Sequence, residues 1–190
     1  MLHLASRSPR RHELLRLLDV PFSIIDVDIP EIRAPDETPF DYVARVAREK
    51  AESALATLPR DADAWVLSAD TEVVLDNQVF GKPVDADDAA AMLRRLSGRT
   101  HEVITTLWLI SRDNQHNTTS RTQVRFAELS DSSITHYIAS NEAFGKAGAY
   151  GIQGRAGAFV AQLSGSYSGV MGLPLYETAV LLEAAGLRTP

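Results

Sequence analysis

Residues 65–83 read WVLSADTEVVLDNQVFGKP. Trp65, Val66 and Leu67 open an apolar run that passes through Ser68 and Ala69, and Val73, Val74 and Leu75 resume it after Asp70-Thr71-Glu72. Aromatic and β-branched residues at this density predict a strand. Asp76-Asn77 suits a two-residue hairpin turn. In that register Thr71 faces Lys82, and Pro83 ends the pairing, so Asp70, Thr71, Glu72 and Lys82 fall in one neighbourhood. A carboxylate is disfavoured in a strand and is rarely buried without a partner. Asp70 therefore reads in two ways: a structural Asp–Lys pair, or an ionised group beside cations that accepts a proton from water.

Outward from this hairpin, the chain alternates helices and strands. A strand is expected at 2–5, then a helix at 9–18 with Leu14, Leu15, Leu17 and Leu18 facing inward. PFSIIDVDI (21–29) reads as a strand and IPEIRAPDETP (29–39) as a polar loop. Thr38 and Pro39 open a long helix with Asp41 at the capping-box position. DADDAAAMLRRLSG (85–98) has acidic residues at its start and Gly98 past its end, the usual helix polarity. VITTLWLI (103–110) and QVRFAEL (123–129) read as strands, Ser130 caps a short helix, and LPLYETAVLLEAAG (173–186) is a last helix. The alternation predicts an α/β layered fold with a largely buried sheet. With no repeat, low-complexity tract or linker, residues 1–190 are expected to form a single domain.

Composition narrows the function. Hydrophobic residues make up 45% and charged residues 23% of 190, an ordinary globular balance that argues against disorder. The formal charge of −6 disfavours non-specific binding to nucleic acid or membranes. The absence of cysteine excludes disulfides, thiolate nucleophiles and cysteine metal sites. No run approaches the ~18 apolar residues of a membrane span, and the start lacks the apolar stretch of a secretory signal. A cytoplasmic location is the expectation. The five histidines form no short ligand pair, so any metal should be hard and oxygen-bound: magnesium, or manganese, held partly by the substrate.

Against this acidic background, LHLASRSPRRHELLRLLDV (2–20) is locally basic. Ser8 suits an N-cap and Pro9 the first helical position, which puts Arg10 and Arg11 in the first turn. Cations there oppose the helix dipole by several tenths of a kcal/mol each. The pair makes sense either as side chains bent away to surface carboxylates or as the counter-charge of an anion at the helix N-terminus.

Lys50 adds a third cation. In the helix after Pro39 it falls inside the stripe of Val43, Val46, Ala47, Ala54 and Leu58, so it either snorkels to a rim or points into a polar cleft. Glycine is uneven: none of the 11 precedes Gly81, and eight lie from Gly145 to Gly172. Gly148, Gly151, Gly154 and Gly157 recur in GAYGIQG and the residues after it, which predicts a loop or irregular strand approached closely by a ligand or by backbone. Neither Gly81-Lys82 nor Gly145-Lys146 has the upstream glycine of a P-loop.

Five ordered segments, LASRSPRRHELL, VAREKA, SADTEVVLDNQVFGKP, LSGRTHEVIT and KAGAYGIQG with GSYSGVMGLPLYET, together resemble the Maf family of nucleoside triphosphate pyrophosphatases, also described as septum-formation inhibitors. GAYGIQG is similar to the branch acting on dTTP and UTP. The resemblance implies an elongated twisted mixed β-sheet flanked by helices, with a deep cleft between two lobes, often as a homodimer. It implies that Asp70 is the proton acceptor, and that Arg10, Thr71 and Gln153 govern substrate choice. Ser6, Arg11, Glu31, Lys50 and Lys82 match polar residues around the phosphates and metal, with Lys50 and Lys82 catalytic and Glu31 and Asp70 metal-binding. The implied reaction splits a pyrimidine nucleoside triphosphate, with modified pyrimidine nucleotides as further candidates, into the monophosphate and pyrophosphate. Two alternatives accompany it: the same reaction on methylated or non-standard purine nucleotides, and a non-catalytic, nucleotide-responsive role in cell division.

Overall fold

The computed structural model describes residues 1–188. Its strands are β1 (Leu2–Ala5), β2 (Phe22–Ile25), β3 (Trp65–Leu75), β4 (Gln78–Phe80), β5 (Thr100–Ile110), β6 (Gln115–Phe126) and β7 (Val160–Ser164). They form one sheet in the order β2-β1-β3-β5-β6-β7, with β4 hanging from β3. β1 runs parallel to β2 and β3, and the other pairings are antiparallel. The helices are α1 (Pro9–Arg16), α2 (Pro39–Ala56), α3 (Ala86–Leu96), α4 (Asp131–Ala139), α5 (Tyr167–Met171) and α6 (Leu175–Ala184). The expected mixed α/β sheet flanked by helices is what the chain forms.

Most helices begin as their sequences dictate. The Asp41 amide donates to Thr38 Oγ1 at 3.1 Å, the Asp88 amide to Asp85 Oδ1 at 2.8 Å and the Ser133 amide to Ser130 Oγ at 3.2 Å. α1 and α6 lack a side-chain cap. Ser8 occupies the N-cap position, but its side chain caps nothing, and its own amide donates to Ser6 Oγ at 3.1 Å. Ser8 thus takes the expected N-cap position without the cap hydrogen bond, and no side chain among the described residues accepts from the first-turn N–H groups of α1.

Packing divides the sheet lengthwise. Leu2 and Leu4 of β1 and Leu67 and Ala69 of β3 pack with Leu14, Leu15, Leu181 and Leu182 of α1 and α6. Ala51 and Ala54 of α2 cover the opposite face at Val66 and Ile110. At the far end, Val73, Leu75 and Phe80 pack with Leu93, Leu96, Phe126, Ile134 and Tyr137. Each fully buried Leu or Phe contributes about 1.5–3 kcal/mol. β3 and β5 serve both ends, which makes two lobes on one continuous sheet.

Several boundaries differ from expectation for local reasons. α1 stops at Arg16, so Leu17 leaves the inward stripe and is 67% exposed. β2 stops at Ile25 because its only partner, β1, ends opposite it at Ala5. β6 starts at Gln115 rather than Gln123, its polar first half held by the long ladder to β5. β7 is a further strand, short, mostly exposed and at the sheet edge, with no apolar run to announce it. The hairpin register is as read, with Leu75 opposite Gln78 and Val73 opposite Phe80, and Asp76 and Asn77 take positive φ of 52° and 61°. The ladder nevertheless ends at Phe80, so Thr71 and Lys82 do not pair. The glycine-rich segment contains short 3₁₀ turns at Ala147–Ala149 and Arg155–Phe159. Gly148 has φ of 68°, and a Cβ there would lie 2.9 Å from Val73 Cγ2, so its close neighbour is the chain's own β3.

Candidate active site

The β1–β3 ladder ends at Ala5–Ser68, and β4 joins β3 only at Val73. Ala69–Glu72 thus have no strand beside them on that edge, and the sheet splits there. Crevices of this kind, beyond the carboxyl ends of parallel strands, are where open α/β sheets take ligands. A cleft of about 730 Å³ fills the split, lined by residues that include Ser6, Arg10, Arg11, Glu31, Lys50, Asp70, Thr71, Glu72, Lys82 and Lys146.

Strand alternation sends Ser68, Asp70 and Glu72 toward α2 and Thr71 the opposite way. Ser68 Oγ donates to the Ala47 carbonyl at 2.6 Å, which pins β3 to α2. One turn on, Lys50 Nζ donates to Asp70 Oδ1 at 2.7 Å and to Glu31 Oε1 at 2.6 Å. Lys82 Nζ donates to Glu31 Oε2 at 2.7 Å. Glu31 thereby bridges two lysines from distant segments. Burial alone would raise its pKa, but hydrogen bonds and charge from Lys50, then Lys82, overcome this and lower it to about 2. Asp70 is 5% exposed, and its Oδ2 is buried with no hydrogen-bond partner among the described residues.

On the other side of β3, Arg11 Nη2 donates to Thr71 Oγ1 at 3.1 Å and its Nε to the Gly172 carbonyl at 2.8 Å. Thr105 Oγ1 supports this contact, 3.0 Å from Thr71 Oγ1 and 2.8 Å from the Gly169 carbonyl. Gly172 has φ of 115°, and a Cβ there would stand 3.2 Å from Arg11 Nε, so the approach requires glycine. Arg11 makes no salt bridge among the described residues. Arg10 makes neither salt bridge nor side-chain hydrogen bond among the described residues, and burial, opposed by Tyr137, disfavours its charge. Burial likewise works against charge on Lys146, as does Arg10 beside it. Two arginines and a lysine thus line one wall with no carboxylate bound to their side chains among the described residues, although, against its burial, Asp70, Glu31 and Glu72 favour the charge on Arg11 from a distance.

The structure brings Ser6, Arg10, Arg11, Glu31, Lys50, Asp70, Thr71 and Lys82 to one cleft. Gln153 is exposed and stands outside that lining, its Oε1 beside Gly151. Glu72, Lys146 and Tyr42 also line the cleft, and the sequence assigned none of them a role, although it placed Glu72 near Asp70. Glu72 carried a signal, since it is two positions from Asp70 on the same strand face. Lys146 was visible only as a failed P-loop lysine. Tyr42 carried none. Glu72 is 7% exposed, and burial first, then Asp70 and Glu31, push its pKa up to about 9.

A mixed sheet split at its central strand, with a buried carboxylate facing unpaired cations, defines an α/β protein built to hold a polyanion. The chain belongs to the Maf family: the model of the Maf-like protein family matches residues 1–185. It is 58% identical to a dTTP/UTP pyrophosphatase of Xanthomonas euvesicatoria pv. vesicatoria (strain 85-10), over 98% of this chain and 99% of that one. It is 57% identical to a nucleoside triphosphate pyrophosphatase of Xylella fastidiosa (strain 9a5c), over 96% and 97% respectively. The Ham1 protein of Staphylococcus aureus superposes with a TM-score of 0.48 at 13% identity, covering 67% of this chain and 72% of that one, too loose a likeness to carry any role across. No helix among the described residues is long and apolar enough to cross a membrane.

Proposed function

We propose that the chain hydrolyses dTTP and UTP between the α and β phosphorus atoms, leaving the nucleoside monophosphate and pyrophosphate. One observation carries this reading. Asp70, held through Oδ1 by Lys50 and unpartnered at Oδ2, lines the same cleft as Arg10 and Arg11, neither of which pairs with a carboxylate among the described residues. The names of the relatives supply the substrate class.

Arg10, Arg11 and the open N–H groups of α1 take the phosphate chain, so that binding supplies the negative charge their wall lacks. Asp70 Oδ2 accepts a proton from the water that attacks the α-phosphorus, and the α–β bridging oxygen leaves with pyrophosphate. Lys50 fixes the carboxylate in place, and Lys82 is drawn inward by Glu31 to face the charge that grows on the phosphoryl oxygens. Gln153, beside Gly151, presents both donor and acceptor to the pyrimidine edge.

The donor set fits a magnesium or manganese ion. Asp70 Oδ2 is a hard, unpartnered oxygen, and no group of three or more candidate ligands gathers among the described residues, so waters or phosphate oxygens would complete the shell. Such an ion, when bound, supplies charge neutralisation on the phosphates. Both oxygens of Glu31 are engaged by lysines, which leaves it a poorer donor than expected.

Rates of pyrophosphate release across UTP, dTTP, GTP and methylated GTP test the assignment. Turnover should be largest with UTP and dTTP. Equal rates with UTP and GTP would remove the role given to Gln153, and release of orthophosphate would remove the reaction itself.

A further inference from the structure

Glu72 is a buried carboxylate with no stated use. It lies two residues from Asp70 on β3, on the same face, roughly 6.6 Å further along the strand. Both line the cleft in the stretch where β3 has no neighbouring strand. Glu72 is more than nine-tenths buried, and its Oε2, like Asp70 Oδ2, has no hydrogen-bond partner among the described residues. Lys50 and Lys82 are near enough to act on it electrostatically, yet both spend their hydrogen bonds on Glu31 and Asp70. Buried polar groups are almost always satisfied, and here two carboxylates that line one cleft each keep a buried oxygen with no partner among the described residues, which leaves room for a partner they share. A bridging water would leave Glu72 protonated; a hard dication meets both oxygens and favours the ionised form of the pair.

We propose that Glu72 Oε2 and Asp70 Oδ2 together form the protein's share of a divalent-cation site, with Glu31 serving the lysines instead. The inference rests on the pyrophosphatase reading and extends it to a residue that reading does not use. A carboxylate has about four lone-pair sites, and Lys50 takes one on Asp70, so Asp70 both ligates and accepts a proton.

Manganese binding to the full chain without nucleotide, followed by electron paramagnetic resonance and calorimetry, tests this. Glu72→Gln should weaken manganese binding about tenfold or more, comparable to loss of a key group at a metal site. Glu72→Asp, which keeps the charge on a shorter arm, should bind between the two. Glu31→Gln should weaken manganese less than Glu72→Gln does. Thermal melting establishes that each variant is folded, and Glu72→Asp carries the test should Glu72→Gln unfold. Manganese affinity unchanged in Glu72→Gln or, if that is unfolded, in Glu72→Asp, or a larger loss in Glu31→Gln, overturns the proposal. Pyrophosphate release by the unsubstituted protein is scored separately. Release with unchanged metal affinity defeats this inference alone, whereas a metal effect without release defeats the reading beneath it.

Discussion

The two walls of the cleft solve the same electrostatic problem in opposite ways. On the α2 side, Lys50, Lys82, Glu31 and Asp70 form a chain of contacts at 2.6–2.7 Å, and every lysine has a carboxylate. On the α1 side, Arg10, Arg11 and Lys146 have none. A pre-paired wall holds its side chains in fixed positions before any ligand arrives, which suits groups that must act on a transition state. An unpaired wall keeps cations in reach of an incoming anion, with the carboxylates across the cleft acting on Arg11 only from a distance, which suits binding. The difference teaches that the cations of one cleft need not share a role.

Substitutions can break this division. The largest effect is expected from Asp70→Asn, which removes the proton acceptor while leaving the arginines. Turnover should fall about a thousandfold, within the range for loss of a general base, and binding of a non-hydrolysable UTP analogue should change little. A large loss of binding with modest loss of turnover would reverse the roles of the two walls.

A pH test probes the floor under the unpaired wall. His101 is 2% exposed, with Nε2 2.8 Å from the hydroxyl of Tyr150, which lines the cleft, and burial lowers its pKa to about 4. Unfolded histidine titrates near 6.5, so the unfolded state binds the proton first and stability falls as pH drops from 6.5 to 4, by up to about 3 kcal/mol. Glu72, with its pKa raised, acts in the opposite sense over part of this range. The stability difference between the unsubstituted protein and His101→Gln therefore isolates the effect. It should move in favour of the variant on acidification, and urea melts at pH 7 and pH 4.5 measure it. A pH-independent difference would show that His101 titrates alike in both states.

Arg11→Ala comes next. Charge-assisted hydrogen bonds contribute about 1.5–3 kcal/mol, so KM for UTP should rise about 30-fold with kcat less affected. Arg11→Lys should recover only part, because the fork that joins Thr71 and Gly172 is lost. The smallest effect belongs to Arg7, whose guanidinium already meets Asp26 at 3.2 Å and Asp28 at 2.7 Å on the surface. Exposed pairs of this kind contribute about 0–1 kcal/mol, and Arg7→Ala should leave both kcat and KM within about twofold. Equal effects at Arg7 and Arg11 would erase the distinction between paired and unpaired cations.

Much of this arrangement was legible in the chain itself. Arg10 and Arg11 stood out because they opposed a helix dipole, and Lys50 because it interrupted an apolar stripe. Asp70 stood out because it broke a strand, and Asp76-Asn77 set the hairpin register correctly. What stayed hidden depended on neighbours distant in sequence. Lys82 was read as facing Thr71, whereas Glu31, from a loop with no periodicity, draws it away. Ser8 sits at the N-cap as its residue type implies, yet its hydroxyl accepts from no first-turn amide, which residue type alone does not reveal. The first half of β6 is polar because most of its residues face outward or lie half-buried, so no apolar run announced it. Glu72 was hidden by a different cause: alternation placed it beside Asp70, but only burial without a partner made it conspicuous.

Hydrolysis of UTP in ¹⁸O-labelled water, with the products followed by ³¹P NMR and mass spectrometry, tests the central claim most directly. Asp70-directed attack at the α-phosphorus predicts that the label appears in UMP and that unlabelled pyrophosphate is released. Label in pyrophosphate or orthophosphate, with UMP unlabelled, would contradict it.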